Sequence, residues 1–431
     1  MSERPYRLGP RESRGTVAGW RAGQVVTVVA AIALATVMIG VWGSATAFFI
    51  GVVLVASGIT MAVLPFRGRT AEEWIPVIAH HVRFRNRVQR LEVQLLHGTQ
   101  GSALSVDGRL VVVLELRADG FALLDASGQG RLVAGFASVI GQLARSQRLI
   151  ERVGWSASIE AGSITTLDHD RRRRARGPLD LVESYAGLLR ESDALLPNRR
   201  AHLFLGTGML RKPPQGVIEE LLTEALGLAN ALEMTGHRRP RVLGGDEIRQ
   251  AFGENFEWDD ARSTMSASTR CGFDSLECSA GRAVSWWVEE WPRHGVTAES
   301  LSPVLLGEGQ RRMAVIFEPI DAHLALRKAQ VATTKGAADD ELRHRAGFLL
   351  DRRRRAEADH RSVREEELVV GHQGLRFSGF LSVHAQGGAQ LAEEVRRTEL
   401  AAAQTGFVLR RLQGDHHRGW LATFPLARGL S

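Results

Sequence analysis

Two runs of this chain carry no charge for about twenty residues each. From Gln24 to Trp42 the sequence reads QVVTVVAAIALATVMIGVW, and from Ala45 to Leu64 it reads ATAFFIGVVLVASGITMAVL. A hydrocarbon core of about 30 Å takes about 20 apolar residues as a helix, because lipid offers no partner to a bare backbone group. Both runs are therefore expected to cross a bilayer as a hairpin with a tight connector at Gly43-Ser44. A second apolar run directly after the first argues against a cleaved signal peptide. Arg4, Arg7, Arg11, Arg14 and Arg21 precede the hairpin, and Arg67, Arg69, Arg83, Arg85, Arg87 and Arg90 follow it. By the positive-inside rule both flanks are cytoplasmic. The expected location is a bacterial inner (plasma) membrane, multi-pass, with N- and C-termini cytoplasmic. Trp20, Trp42 and Phe66 suit interfacial anchoring. Small residues at four-residue spacing, Ala47 to Gly51 and Gly40 to Ser44, can pack the hairpin or a partner helix.

The next stretch, RTAEEWIPVIAHHVRFRNRVQRLE, has a capping Thr70 with Glu73 three residues on. Trp74, Ile75, Ile78, Val82 and Phe84 give it an apolar side, and Pro76 is tolerable in a first turn. Residues 65–98 read as a basic juxtamembrane amphipathic helix on inner-leaflet anionic lipids, with His80 and His81 as polar interfacial residues.

Beyond it, strands and helices alternate. Strands are expected at Arg109–Leu116, Val153–Ile159, Ala201–Leu205, Ala283–Glu290, Met313–Glu318, Leu375–Val383, Phe407–Leu412 and Trp420–Phe424. Helices are expected at Gly130–Leu149, Leu179–Arg190, Val217–Glu233, Ser300–Leu306, Ala322–Val331 and Ala389–Thr405, with a long charged helix from Asp339 to Val370. The fold class is thus a two-helix transmembrane hairpin followed by a cytoplasmic α+β region of two ferredoxin-like α/β layers, one per half. The domains are a basic leader (1–23), the hairpin (24–64), the juxtamembrane helix (65–98), α+β subdomain 1 (99–237), a weakly periodic loop or linker (238–282) and α+β subdomain 2 (283–431).

Composition adds little chemistry. The chain has 431 residues and a net charge of +7, and among its 55 basic residues the only lysines are Lys212, Lys328 and Lys335. Together with abundant Ala, Gly and Val this reads as a GC-rich coding bias, which weakens any site-by-site argument from arginine. Arg171–Arg174 reads as a solvated loop, with acidic lipid or nucleic acid as the alternative. Arg352–Arg355 lies among acidic residues with no aromatics for stacking, so a solvated or protein-facing helix is preferred over direct nucleic-acid contact. Cys271 and Cys278 lack metal spacing and read as free thiols, with a redox pair or shared zinc site as alternatives. No GxxxxGK[ST], GxSxG, HExxH or CxxC occurs. His416-His417 reads as a polar turn. No catalytic, cofactor-binding or metal residue is assigned, and the chain is expected not to be an enzyme.

Several segments nevertheless resemble a known family. FRGRTAEEWIPV after the hairpin, WVEEWPRHGV at Trp287–Val296, VIFEPIDAHLALRKA at Val315–Ala329, REEELVVGHQGLRFSGFLSV at Arg364–Val383 and FPLARGL at Phe424–Leu430 are similar to the SCO6880/PrgI-like family of actinobacterial membrane proteins from conjugation-type (type IV) secretion loci. The resemblance implies a VirB3-like hairpin joined to a domain like the N-terminal part of a VirB4-type ATPase. It also implies a non-catalytic role: anchoring and docking a separate VirB4-type P-loop ATPase and other membrane subunits, with homo-oligomerisation open. The alternative is an EccE-like membrane component of a type VII secretion system, against which the PLARGL and EEWPR segments argue.

Overall fold

The structure is a computed structural model. It describes residues 22–63, 71–84, 87–117, 124–146, 149–160, 181, 184, 198–210, 215–292, 301–305, 307, 309–345, 352–370 and 374–429. The arginine run 171–174, most of the helix expected at 179–190, and the basic leader up to residue 21 lie outside them.

Helix α1 (Ala22–Trp42) and helix α2 (Ala45–Val63) fold back on one another. Small residues set the approach: a Cβ on Gly58 would sit 2.6 Å from the Ala31 Cβ, and one on Gly51 would sit 3.1 Å from Ile39. Among the described residues only α1 is long and apolar enough to cross a membrane, over Val25–Trp42, and 6% of that window is buried. Within α2 the stretch that qualifies among the described residues is Phe48–Thr60, shorter than a span needs. Ser57 and Thr60 hydroxyls there turn back to the carbonyls of Leu54 and Ala56. This corrects the expected two-span hairpin and the multi-pass topology that rested on it. Helix α3 (Ala71–Phe84) follows, and it is shorter than the helix expected over 65–98, because Val88 already begins a strand.

The larger correction concerns the soluble part. In place of two ferredoxin-like layers, one sheet closes on itself. Its strands are β1 (Val88–Gly98), β2 (Gly101–Val106), β3 (Arg109–Leu116), β4 (Ile150–Glu160), β5 (Asn198–Thr207), β8 (Thr264–Cys271), β9 (Leu276–Cys278), β10 (Gly281–Glu290), β11 (Gln310–Pro319) and β12 (Leu375–Ala385). They run in the order β1-β2-β3-β5-β4-β11-β12-β10-β9-β8, and β8 pairs with β1 to complete a ten-stranded ring. Two pairings join the halves: β4 with β11, Val315 opposite Trp155, and β1 with β8, Leu91 opposite Ala267. All pairings are antiparallel. Closure leaves no long exposed edge, which two open layers would each have presented. Short strands β6 (Arg241–Val242), β7 (Glu257–Asp259) and β13 (Val408–Arg411) add to β3, β8 and β10. The stretch 238–282, expected as loop or linker, thus carries β6 to β9, with helix α6 (Gly245–Phe252) between β6 and β7.

Alternation on each strand separates two environments. On β3, Val111 and Val113 point into the barrel, while Leu110, Val112 and Leu114 point outward under α4 (Ala126–Ser146) and α5 (Gln215–Met234). Both faces are therefore buried, which is why RLVVVLEL is apolar nearly throughout. On the opposite wall, Val284, Trp286, Met313 and Leu381 pack outward beneath α7 (Ser302–Leu305) and α10 (Gly388–Gln404). Between β11 and β12 the chain leaves the barrel as two charged helices, α8 (Ala322–Arg345) and α9 (Arg352–Val369). The single helix expected over 339–370 is instead two helices side by side: Gly336 of α8 lies against the Arg361 guanidinium of α9, which pairs with Asp340 at 3.8 Å.

Candidate functional site

A barrel of this size needs something in its lumen, and here the protein fills it with its own chain. The C-terminal segment from helix α11 (His416–Ala422) to Ala427 is buried almost throughout. The expectation that Trp420–Phe424 forms a strand is corrected: its bulk serves as a plug. Trp420 and Phe424 stack with Phe252 and Phe256, which α6 and the following 3-10 turn carry in from the other side. Phe252 and Phe424 are parallel at 5.7 Å between centroids, and Trp420 and Phe424 meet edge to face at 4.8 Å. Offset and edge-on pairs of this kind contribute about 0.5–1.5 kcal/mol each beyond the area they bury.

Polar groups latch the plug in place. The two residues expected as a polar turn bridge two strands: His416 Nδ1 accepts the backbone N–H of Ser285 on β10 at 3.1 Å, and His417 Nδ1 lies 2.6 Å from the Thr269 hydroxyl on β8. Strands β8 and β10 are joined in the ring only by the short β9, so the histidines close the seam beside it. Further in, the Arg312 guanidinium covers the Phe424 ring at 4.0 Å, and the Thr423 and Ser382 hydroxyls are 3.1 Å apart. Arg152, itself paired with Glu318 at 2.9 Å, donates to the Ala427 carbonyl at 2.9 Å. Arg428 pairs with Asp107 at 2.8 Å.

This interior is electrostatically one-sided. His202 on β5 and His384 on β12 both face Arg312. Burial first, and the Arg312 charge second, hold each imidazole down to about 3, so both are neutral at physiological pH. Burial, then Arg428 and Arg418, bring His417 down to about 4. Burial also raises the thiols of Cys271 and Cys278 above their ordinary range, which makes neither a ready nucleophile. The structure thus places Cys271 in the core and Cys278 half-buried, both free. Among the described residues no group of His, Cys, Asp and Glu is arranged to hold a metal ion.

A cavity of about 20 Å³ at the barrel mouth, between Asn255, Arg312 and His384, has room for about one water molecule. A larger cleft of about 230 Å³ lies on the outer surface, where Arg90 and Arg262 alternate with Glu92, Glu257 and Asp259 around Trp258. Its charges of both signs favour no single class of ligand. Sequence reasoning missed the plug because aromatic residues at a chain end carry no signal that distinguishes a strand from a lumen filler.

No protein-family model matches this chain, and no curated protein matches it. The resemblance to the SCO6880/PrgI-like secretion family is therefore corrected. Its implied design fails on the fold as well, since a closed barrel replaces the hairpin-plus-layers arrangement and, among the described residues, one helix qualifies to cross a membrane. The docking role for a VirB4-type ATPase, and the EccE-like alternative, lose their basis with it.

Proposed function

We propose that this chain is a non-catalytic scaffold, a self-plugged β-barrel tethered to a lipid bilayer through α1. The observation that carries the reading is the contrast between the two ends of the described chain. Most of the Val25–Trp42 window is exposed, whereas the C-terminal segment is almost wholly enclosed. An uncovered apolar helix of this length is stable in hydrocarbon and costly in water. Trp420 and Phe424 occupy the lumen among the described residues, so partners meet the outer wall and the α8–α9 pair.

Fractionation of cells expressing the full chain tests this. Retention in membranes after alkaline carbonate, with an intact mass that includes the N-terminal residues, is the expected result. Release into the soluble fraction, or a mass shortened past Trp42, would overturn the tether.

A further inference from the structure

Helix α3 has more apolar surface than the barrel covers. One stripe, Trp74, Val77 and His81, faces the barrel. Trp74 stacks on Phe273 at 5.8 Å and His81 meets the same ring edge-on at 5.3 Å. Val77 and His81 press on Gly414, where φ is +71° and an added Cβ would sit 3.3 Å from Val77. An ion-pair chain fixes the first turn: Glu73 to Arg410 at 3.0 Å, and Arg410 to Glu289 on β10 at 3.5 Å. All three charged groups are largely buried, so this clamp is far less screened than a surface pair.

A second stripe lies about a quarter-turn round the helix, since each residue advances about 100°. It consists of Ile75, Ile78 and Val82, which are 68%, 50% and 69% exposed. The spacing i, i+3, i+7 places them on one line. Arg83 and Arg87, both exposed, stand at the same end of the helix. Helix α3 also touches α1 and α2. The exposed stripe of α3 is therefore carried by a helix that touches the bilayer-length α1.

We propose that this second stripe lies on the surface of an anionic phospholipid bilayer, and that the clamp thereby turns the Phe273–Gly414 side of the barrel toward the membrane. The inference rests on the α1 tether and adds an orientation to it. Contact with α1, the helix read as the tether, selects lipid over a protein partner as the occupant. The arginines select anionic lipid, because basic residues beside an interfacial apolar face draw on the negative surface potential.

The test uses the full chain with Cys271 and Cys278 replaced by alanine and an environment-sensitive dye at Ile78→Cys, or at Leu342→Cys on α8 as a control. The protein is reconstituted into phosphatidylcholine vesicles with and without phosphatidylserine. The expected result is that the dye at 78 is quenched by a spin label near the lipid headgroups and shielded from aqueous iodide, while the dye at 342 behaves the opposite way. Lipid quenching at 78 should weaken without phosphatidylserine or in the Arg83→Gln, Arg87→Gln variant. A chain that floats with the vesicles while its residue 78 is open to iodide would overturn the orientation and leave the tether standing. Shielding from both quenchers would mean a protein covers the stripe, and would also overturn it. Equal lipid quenching in all vesicles would remove the anionic preference. A chain that does not float with vesicles at all would sink the tether itself.

Discussion

His417 at the start of α11 and Thr269 on β8 meet at 2.6 Å, Nδ1 to Oγ1, 148 residues apart in sequence and buried. Together with the bond from Ser285 to His416, this contact ties the C-terminal plug to the barrel wall. The stability of the fold should therefore respond to changes at residues that look peripheral in the sequence.

Acid should loosen the seam. The folded pKa of His417, about 4, lies below the ordinary 6.5, so the unfolded chain binds the extra proton between those values. Above about 6.5 the group costs nothing. As pH falls through the window, stability drops by up to about 3 kcal/mol, levelling off below the folded pKa. Denaturant midpoints measured from pH 7 to pH 4 should fall less steeply in His417→Gln than in the parent chain. Identical slopes would mean that His417 does not titrate as a buried neutral group.

The Arg311–Glu394 pair, at 3.3 Å, is buried on both sides. Arg311→Met alone should cost about 3 kcal/mol, because Glu394 would remain buried with only the more distant Arg397, at 3.7 Å, as counter-charge. Arg311→Met with Glu394→Leu should regain most of that loss. Chemical denaturation in mild detergent would report both, and a double variant no better than the single one would contradict the account.

Glycine substitutions should split by location. A Cβ at Gly154 on β4 would collide with the Phe204 ring and sit 2.6 Å from the Val315 carbonyl, whereas one at Gly227 in α5 meets nothing within 4 Å. Gly154→Ala is expected to destabilise by about 1–3 kcal/mol through overpacking. Gly227→Ala should stabilise by up to about 1 kcal/mol, because alanine is the better helix former. Melting temperatures moving in the same direction would show that lumen packing at Gly154 has slack.

Plug packing should be expensive to remove. Phe424 is fully buried among Phe252, Phe256, Trp420 and Arg312. Phe424→Ala should cost about 3–5 kcal/mol, and Phe424→Leu clearly less. Unfolding transitions would measure it; a cost near zero for the alanine variant would mean that the lumen does not depend on the plug.

Local periodicity made much of the secondary structure legible. The 3.6-residue pattern locates α5, α10 and the core of α3, and the apolar run 109–116 locates β3, because those signals depend only on which side of an element is buried. Polar-looking strands were harder to read. Strand β8, TMSASTRC, alternates small side chains that suit a lumen wall, but its sequence resembles a loop. The candidate site was not legible at all: His416, His417 and Arg312 act only through partners more than a hundred residues away.

The sequence by itself determined that α1 is apolar enough to span a bilayer, that α3 is amphipathic, and that no common catalytic motif is present, since each follows from residue type and near-neighbour spacing. Only the tertiary structure decided that one barrel replaces two layers and that the C-terminal segment is a plug. Strand pairing is a long-range choice made by hydrogen bonds such as those between β1 and β8. A periodic pattern states which face of a strand is buried but never which strand lies beside it.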